Sequence, residues 1–599
     1  MKNRLMFIIF PFLFWFGAEY LKDNNLNLNN MNTPPENYDS LWEKVSAFEM
    51  KGLPKSALEV VEQIYSQSKA DNNGDQLIKS SIYKMKMKQQ FEDTMFQAHL
   101  NTLIKDADEV AMPQKSVLYI LVAQLYKQYA RSNYYSIIKR TDTENFDNPD
   151  LETWTINMIN AEALKYIYKA LQDPKALMKY TPDDLPSVAK KGSKPSFCRP
   201  TLYDYVAYEA LDILREMRTP TPETFFYSGS EYFDYQKFAA LDIKCDDSLS
   251  LNYNAAKILQ QLANERINAG NDDALVDFEL YRLGFVSGKS TQDNKLQLMK
   301  EALESLQKRF SNAKYKAAVD YTLAKFYYDQ VENVTEFGEG NSTYRKTAHD
   351  ICSKIVADES ADKEYKTAAF NLIQQLEKKE LSFVNDDVVI PGSNFAALVQ
   401  YRNISKLYAK VLKIDRSKYE EINKDDYDPL KRLKGYLRAG KQVAEFSKDI
   451  PDKGDYLNRS TEIVFQKLSE YGFYLLLLSD SPDFAADNCI QVSPITVSNL
   501  VISSVPLATG FARQYYVTSR TTGEPLQNVT LTLYYEEYSR LRRKYVLEKA
   551  SEVKTDKNGY ALVKRYSDQY YRYSLKASTP EKDSLTLDYV NFNSYTNNP

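Results

Sequence analysis

The spacing of apolar residues divides the chain into two parts. Over residues 38–380, apolar residues recur three and four positions apart in segments bounded by Gly, Pro, Asn and Asp, which is the pattern of amphipathic helices. Leu41, Val45 and Phe48, for example, share one helical stripe that ends before the Gly-Leu-Pro corner at 52–54. We therefore predict stacked helices, beginning with a helix-turn-helix pair, over this part of the chain.

Two features refine the helical prediction. Small Ala57 in the segment 55–69 permits close approach of two helices, and this segment resembles tetratricopeptide-type packing. Lys-Tyr-Lys-Ala-Ala at 314–318 recurs as Glu-Tyr-Lys-Thr-Ala at 364–368, a spacing close to that of known helical repeats. Irregular inserts interrupt the pattern around 142–150 and 180–200. We therefore predict an irregular tetratricopeptide-like α-helical array rather than a regular solenoid.

Near residue 381 the apolar spacing changes from helical to alternating. The nearly continuous apolar run at 471–478 is typical of a strand in the core of a sandwich. The charged stretch at 418–440 has partly helical spacing, so we interpret it as an insertion between strands. These patterns predict a first immunoglobulin-like β-sandwich over residues 381–493.

A second immunoglobulin-like β-sandwich is predicted over residues 494–599. Turn sequences separate its alternating segments: Thr-Gly-Glu-Pro at 522–525 and Asp-Lys-Asn-Gly at 556–559, where Asn and Gly accept positive φ at low cost. We interpret Asp556 as a turn residue and not as a calcium ligand, because the other ligand positions of a calcium loop are missing. The strands are expected at 515–519, 529–535, 545–549 and 571–576.

The first residues carry a targeting signal. Lys2 and Arg4 precede a twelve-residue, mostly apolar run at 5–16, which predicts a secretory signal peptide over 1–18 followed by a linker at 19–37. The run is too short for a relaxed membrane-spanning helix, although an uncleaved N-terminal anchor stays open as the chain's one membrane contact. We expect an exported protein of the periplasm or cell envelope.

Composition excludes several classes of function. The chain has 77 Lys plus Arg against 81 Asp plus Glu and a net charge of -4, so it offers no broad positive field and we expect no nucleic-acid partner. Its four cysteines are too widely spaced for a zinc motif or a dense disulfide framework. Buried thiols are expected, and one disulfide stays open. The cysteines are Cys198, Cys245, Cys352 and Cys489.

Residues suited to catalysis are not grouped in the sequence. His99 and His349 are the only histidines and belong to separate helical segments, which argues against a two-histidine zinc helix and against a histidine-based triad. The segment 227–231 contains two serines but lacks the flanking glycines of a nucleophile elbow. We interpret the acid pairs at 386–387 and 425–426 as solvated loop charges rather than as a general acid and base.

One segment partly matches a phosphate-binding loop. Gly435 to Gly440 and Lys441 have the required spacing, but Gln442 occupies the position of the hydroxyl that binds magnesium. The preceding segment is charged, whereas a phosphate loop follows a buried strand. We therefore predict no nucleotide site, no catalytic residues, no cofactor and no metal, and hence a protein that is not an enzyme.

Several segments resemble bacterial alpha-2-macroglobulin-like proteins. Residues 391–408 and 471–475 resemble the first β-domain of that family, and residues 516–526 and 555–560 resemble the strand and turn signatures of its next domain. Pro-Thr-Leu-Tyr-Asp at 200–204, inside the helical array, is similar to the N-terminal region of such proteins from Bacteroides-like bacteria. The resemblance covers nearly the whole chain and implies macroglobulin-type β-domains.

In that family, macroglobulin domains build a cage whose bait segment a protease cuts, and some members capture the protease through a Cys-Gln thioester. None of the four cysteines here is followed by the Glu-Gln pair of that motif. The resemblance thus implies the non-enzymatic N-terminal portion of an envelope scaffold for endopeptidase inhibition by protease trapping, without its own thioester. Proteases or envelope proteins are the implied partners. Another macroglobulin strand would follow residue 599, so the chain is expected to be a fragment or a shortened member.

A second class of function stays open. The chain could instead be a helical-repeat adaptor or a glycan-binding surface protein whose β-sandwiches are spacers. That alternative predicts aromatic residues that contact a ligand on an exposed concave face of the helical array.

Overall fold

A computed structural model gives the structure of the chain. It describes residues 37–88, 90, 96–141, 148–188, 195–330, 343–425, 427–485, 489–507, 511–540, 544–567 and 571–592. The predicted signal peptide at 1–18 and residues 19–36 of the predicted linker lie outside the described residues. The elements are helical up to Glu377 and mainly strands from Glu380 onward, so the predicted order of α followed by β is confirmed.

The helices that precede the strands begin and end near Gly, Pro, Asn and Asp, as their spacing predicts. They are α1 (Tyr38–Met50), α2 (Pro54–Ala70), α3 (Gly74–Lys88), α4 (Phe96–Glu109), α5 (Gln114–Ser132), α6 (Tyr134–Ile137), α7 (Ile156–Ala170), α8 (Pro174–Leu177), α9 (Leu202–Glu216), α10 (Tyr235–Ala240), α11 (Leu251–Ala269), α12 (Asp272–Lys289), α13 (Lys295–Arg309), α14 (Lys316–Gln330), α15 (Tyr344–Ala357) and α16 (Lys363–Glu377).

The predicted helix-turn-helix pair is confirmed in α1 and α2. Gly52 adopts a φ of 67° at the corner, and Pro54 occupies the first turn of α2, where a missing N–H is harmless. Fully or almost fully buried apolar side chains from both helices and from α3 form one cluster: Leu41, Val45, Ala57, Val61, Ile64 and Met87. The apolar stripe of each helix is therefore the face that packs against its neighbour.

The chain forms two compact units. The first, which we call the helical unit, comprises Met1–Phe326 with Ile351–Ala369. The second, which we call the β unit, comprises Tyr327–Asp350 with Phe370–Pro599. Within the described residues, no helix is long and apolar enough to cross a membrane.

The faint sequence repeat corresponds to a contact inside the helical unit. Tyr315 and Tyr365 occupy equivalent positions of the two similar pentapeptides, just before α14 and in the first turn of α16. Their rings meet edge to face at 5.4 Å, and their hydroxyl oxygens are 2.9 Å apart. Both side chains are buried, so each phenol hydroxyl that loses water gains a hydrogen-bond partner in the other.

The β unit contains fifteen named strands within the described residues, and they form four sheets. They are β1 (Glu380–Asn385), β2 (Val388–Val389), β3 (Phe395–Arg402), β4 (Lys406–Lys413), β5 (Lys441–Asp449), β6 (Arg459–Phe465), β7 (Gly472–Ser479), β8 (Ile490–Val497), β9 (Leu500–Pro506), β10 (Ala512–Ser519), β11 (Thr530–Ser539), β12 (Lys544–Lys554), β13 (Tyr560–Lys564), β14 (Tyr573–Ser578) and β15 (Ser584–Val590). The sheet orders are β1-β3-β6, β2-β8-β7-β4-β5, β13-β10-β9 and β12-β11-β14-β15.

The first two sheets share one hydrophobic core, which we call the first β-module. Its buried side chains alternate along β3 and β7 and come from both sheets. Strand β8 belongs to this module, since Pro494 lies opposite Leu475 of β7 and Val497 is part of the core. The boundary predicted at residue 494 therefore falls inside a strand, and the first module extends to Val497.

Two helices explain why the run at 471–478 is apolar at almost every position. Helices α17 (Arg416–Asp425) and α18 (Pro429–Ala439) occupy the predicted insertion between β4 and β5. Leu433 and Tyr436 of α18 pack with Leu475 and Leu477 of β7, whose alternate residues face the shared core. Strand β7 is thus buried on both faces, and each fully buried Leu stabilises the fold by about 1.5–3 kcal/mol.

The last two sheets share a second core, which we call the second β-module. It is formed by alternate residues of β10, β11, β13 and β14, with Tyr515 and Leu575 fully buried. The four predicted strands at 515–519, 529–535, 545–549 and 571–576 fall within or overlap β10, β11, β12 and β14. Pairing along each sheet is antiparallel, which matches the short predicted turns.

Strand β5 was not anticipated from the sequence. It forms one end of the five-stranded sheet and pairs only with β4 among the described strands. All of its residues except Phe446 are exposed, and four of its nine residues are charged. An edge strand of this kind has no apolar alternation to reveal it.

Candidate functional site

A polar cavity lies at the C-terminal end of α9 in the helical unit. Its volume is about 280 Å³. The chain leaves α9 at Met217, whose backbone is extended, and Pro220 and Pro222 then prevent the helix from resuming. The cavity is lined by residues 134, 214, 215, 217–219, 223, 251, 252, 285 and 289.

One carboxylate fixes the segment that follows α9 against the start of α11. Glu223 accepts hydrogen bonds from the Ser250 hydroxyl at 2.8 Å and from the Leu251 amide at 3.2 Å. Ser250 also caps α11 through the Tyr253 amide. The amides of Leu251 and Tyr253 in the first turn of α11 therefore already have acceptors, and Glu223 is engaged as a structural group.

Only some of the other charged side chains near the cavity have an ion-pair partner. Glu216 accepts a hydrogen bond from Lys127 Nζ at 2.9 Å, which together with nearby cations lowers the pKa of this carboxyl. Arg215 forms an ion pair with Asp212. Arg218 and Lys289 are exposed and, within the described part of the chain, have no carboxylate at ion-pair distance. The cavity rim thus carries an excess of positive charge.

Two buried carboxylates of α12 in the helical unit are paired with arginines. Arg282 and Glu279, both on α12, form a two-point ion pair at 2.7 and 2.6 Å. Arg199 Nε donates to Asp277 Oδ2 at 2.9 Å. Pairing of this quality offsets part of the cost of removing charges from water. We interpret both pairs as structural, because each lies in the helix packing rather than on the cavity rim.

Glu209 on α9 provides a test of the electrostatics of the helical unit. Burial, reinforced by Asp212, raises its pKa to about 7. The folded state therefore binds the proton more tightly than the unfolded chain, so this group's contribution to stability is complete below about pH 4.5 and is lost as the pH rises to 7. We expect Glu209→Gln to raise the free energy of unfolding by about 1–2 kcal/mol at pH 8 and to have little effect at pH 4.5.

Urea unfolding followed by circular dichroism at both pH values would measure this effect. Glu59→Gln, at an exposed position of α2, is the matched control and should change neither value. Equal stabilisation by the two variants, or no gain at pH 8, would contradict the assigned burial of Glu209.

The two signature turns of the second β-module lie in contact, at a place that we call the motif corner. The Val517 amide donates to Gly559 O at 2.9 Å, and the Leu526 amide donates to Val517 O at 2.9 Å. A Cβ on Gly559 would lie 2.4 Å from Val517 O and 3.2 Å from Pro525 Cβ. Only glycine therefore fits at position 559, where φ is also +70°.

Asp556 has a local role in the motif corner. Its carboxylate oxygen Oδ1 accepts from the Asn558 amide at 2.8 Å and from the Tyr560 amide at 3.0 Å. These bonds within the turn are typical of an aspartate that stabilises a turn. Among the described residues, no group of three or more His, Cys, Asp or Glu side chains is arranged to hold a metal ion.

The two histidines belong to different units. His99 is on α4 of the helical unit, whereas His349 is on the part of α15 that belongs to the β unit. His349 Nε2 lies 2.9 Å from Glu377 Oε1, and its ring stacks on Tyr456 at 4.7 Å. These contacts attach α15 and α16 to the loop between β5 and β6, so we interpret His349 as a packing residue.

The other sequence segments tested for chemistry are structural as well. Gly435 lies inside α18 against Ile422, and Lys441 begins β5, so a helix precedes a strand here, in the reverse of the order in a phosphate loop. Tyr227 of the segment 227–231 is fully buried and donates its hydroxyl to Asn252 O at 3.0 Å. Asp387 contributes its backbone carbonyl to the Thr496 amide, and Asp426 lies outside the described residues.

The cysteines form no disulfide in this structure. Cys198 and Cys352 are buried, and Cys245 and Cys489 are partly exposed. Burial raises the pKa of the Cys352 thiol to about 12. A thiol that stays protonated at neutral pH is a weak nucleophile, which agrees with a role in packing.

The chain matches no protein-family model and no curated protein. Among solved structures it is similar to native alpha-2-macroglobulin from Escherichia coli spanning domains MG0-NIE-MG1, with 13% identity and a TM-score of 0.26 over 35% of this chain and 64% of that one. For the fragment spanning domains NIE-MG1, the identity is 14% and the TM-score 0.25, over 35% of this chain and 97% of that one. For Escherichia coli alpha-2-macroglobulin activated by porcine elastase, the identity is 9% and the TM-score 0.17, over 36% of this chain and 22% of that one.

Proposed function

We propose that the chain is a non-enzymatic scaffold of the alpha-2-macroglobulin type, which contributes a tetratricopeptide-like helical array and two immunoglobulin-like β-modules to protease trapping in the bacterial envelope. The observation that supports this most is the motif corner. The Thr-Gly-Glu-Pro-Leu and Asp-Lys-Asn-Gly segments, which carry the sequence resemblance, pack against each other around Gly559. The predicted signal peptide at 1–18 supports the envelope location.

The cysteines bear on how such a scaffold would act. None is followed by Glu-Gln, and the buried Cys352 thiol has a strongly raised pKa. A thioester needs an activated cysteine joined to a glutamine side chain, and this chain does not present one among its four cysteines. We infer that any trapping to which it contributes is steric rather than covalent.

Incubation with proteases tests this proposal directly. The purified chain beginning at Glu19 would be mixed with several proteases of different specificity. We expect no adduct that survives denaturing electrophoresis, and equal residual activity on large and small substrates, because this portion supplies supports but no thioester. Both units should persist as protected fragments, since their backbone is hydrogen-bonded in helices and sheets.

A variant in which all four cysteines are replaced by alanine, and whose fold is checked by circular dichroism, is the control for covalent capture. Adducts that survive denaturation and disappear in this control would refute steric action. Selective loss of activity on large substrates would show that this portion traps a protease by itself. Rapid degradation of both units would argue against a rigid support.

The polar cavity favours a second candidate function, in which the helical unit is a ligand-binding adaptor. Aromatic side chains lie next to it in sequence: Tyr135 follows Tyr134 of the cavity wall and is 81% exposed, and Phe226 is also exposed. Exposed aromatic residues close in sequence to the lining of a concave polar site suit sugar or peptide ligands. The two functions are compatible, because the cavity and the motif corner belong to different units.

A further inference from the structure

The polar cavity at the end of α9 has a cationic rim and a few apolar side chains in its wall. Leu214, Leu251 and Phe285 are buried side chains of its wall, whereas Arg218 and Lys289 are exposed. A volume of about 280 Å³ would hold about nine waters at their liquid density, which is enough for one sugar ring with its substituents. In small-molecule sites, polar groups at fixed positions orient the ligand and apolar side chains contact its body.

The helix dipole of α9 explains the position of Arg218 but not that of Lys289. Arg215 and Arg218 lie at the C-terminal end of α9, where positive charge complements the helix dipole. Lys289, however, is on a different helix, α12, and reaches the same cavity. Glu223, the carboxylate of the wall, is engaged by Ser250 and Leu251. These neutral donors leave the charge of Glu223 in place, so the lining carries three cations against one carboxylate, and an anionic ligand would balance the excess.

Both cations are attached to fixed backbone. The carbonyl oxygen of Arg218 accepts from Asn160 Nδ2 at 2.9 Å, and its guanidinium carbon lies 5.0 Å from the centroid of the Tyr134 ring. The residue after Lys289 is anchored by the bond from Ser290 Oγ to Tyr227 O at 2.8 Å. Because the backbone that carries the two cations is already fixed, less conformational entropy is lost when an anion binds.

We propose that this cavity binds a small anionic ligand of about the size of a monosaccharide, either a carboxylate or a phosphate ester, with its anion between Arg218 and Lys289. The body of the ligand would lie against Leu251 and Phe285. Arginine suits both anions because its planar fork donates two parallel hydrogen bonds, while lysine adds a point charge. This inference does not depend on the scaffold proposal, since a chain that fails to support trapping could still bind the ligand.

Calorimetric titration of the chain beginning at Glu19 tests the site with three probes: sodium glucuronate, glucose 6-phosphate and uncharged glucose. We expect at least one of the anions to bind, with glucose at least tenfold weaker. Arg218→Gln and Lys289→Gln should each weaken the anion at least tenfold, a change of about 1.4 kcal/mol. Lys51→Gln removes the same charge from an exposed residue that does not line the cavity and should leave the affinity unchanged.

The outcomes separate the two ligand sources. Binding of glucuronate alone assigns a carboxylate, binding of glucose 6-phosphate alone assigns a phosphate ester, and binding of both with the same dependence on Arg218 assigns a general anion site. The proposal is overturned if neither anion binds, if glucose binds equally well, or if Arg218→Gln and Lys51→Gln have equal effects. Circular dichroism of each variant would establish that it is folded, which we expect because all three side chains are exposed.

Discussion

Replacement of Arg282 by Met should destabilise the helical unit by about 3–5 kcal/mol, the typical effect of leaving one buried charge without its partner. Arg282 and Glu279 are 0% and 1% exposed, and their two hydrogen bonds are 2.7 and 2.6 Å long. Arg282 also donates to the carbonyl oxygens of Tyr232 and Phe233. The variant therefore leaves a buried carboxylate and two backbone carbonyl oxygens without their hydrogen-bond donor.

The pair Lys165 and Glu162 is a matched control because it has the same spacing of three residues on a helix but reaches solvent, with side chains 51% and 28% exposed. Lys165→Met should cost less than about 1 kcal/mol. In the double variant Glu279→Met/Arg282→Met, the loss should be smaller than the sum of the two single losses, since no charge stays buried. Urea unfolding monitored by circular dichroism would measure each value. Similar losses for Arg282→Met and Lys165→Met would contradict the buried ion pair.

A second large effect is expected at the motif corner, where Gly559→Ala should destabilise the second β-module by about 3 kcal/mol or more. Positive φ alone costs an L-residue about 1–2 kcal/mol. At Gly559 the new Cβ would also lie 2.4 Å from Val517 O, which is a backbone atom held by its bond to the Leu526 amide. Val517 is also paired with Ile502 of β9, which further limits how far β10 can move away from the new Cβ.

Gly523 separates the two causes. It has a similar φ of +73°, but a Cβ there would meet no atom within 4 Å. Gly523→Ala should therefore show only the conformational cost of about 1–2 kcal/mol. Hydrogen exchange at the amides of β10 and β13, combined with denaturant unfolding, would localise the difference. Equal losses for the two variants would show that the close approach at Gly559 is not a constraint.

The division of the chain into helices and strands was predictable because it depends on the period of apolar residues. The run at 471–478 was recognised as a buried strand, although the helices α17 and α18 that cover its outer face were apparent only as a partly helical insertion. Strand β5 could not be recognised, since its exposed charged residues have no alternating apolar face. The boundary between the two predicted sandwiches was placed at Pro494, whereas this residue pairs with Leu475 inside β8.

The candidate site could not be predicted from the sequence, for a different reason. Its lining comes from α6, the end of α9, the segment around 219–223, the start of α11 and the end of α12, and only tertiary packing brings these together. Arg282 and Glu279 have the spacing of an ordinary surface ion pair, so their burial was equally hidden. The repeated tyrosines at 315 and 365 were visible as a pattern, but their contact required the arrangement of α14 and α16.

The exposed edge strand β5 bears on how copies of this protein behave when they are crowded. An open strand edge is a template onto which a second chain can add by backbone hydrogen bonds. Charged side chains lie along that edge: Lys441, Glu445, Lys448 and Asp449. A second strand that paired there would have to accommodate these charges or remove water from them. The register with β4 is also broken by a bulge between Val411 and Leu412. The charges that make this strand hard to recognise in the sequence should therefore also prevent edge-to-edge pairing between copies in concentrated solution.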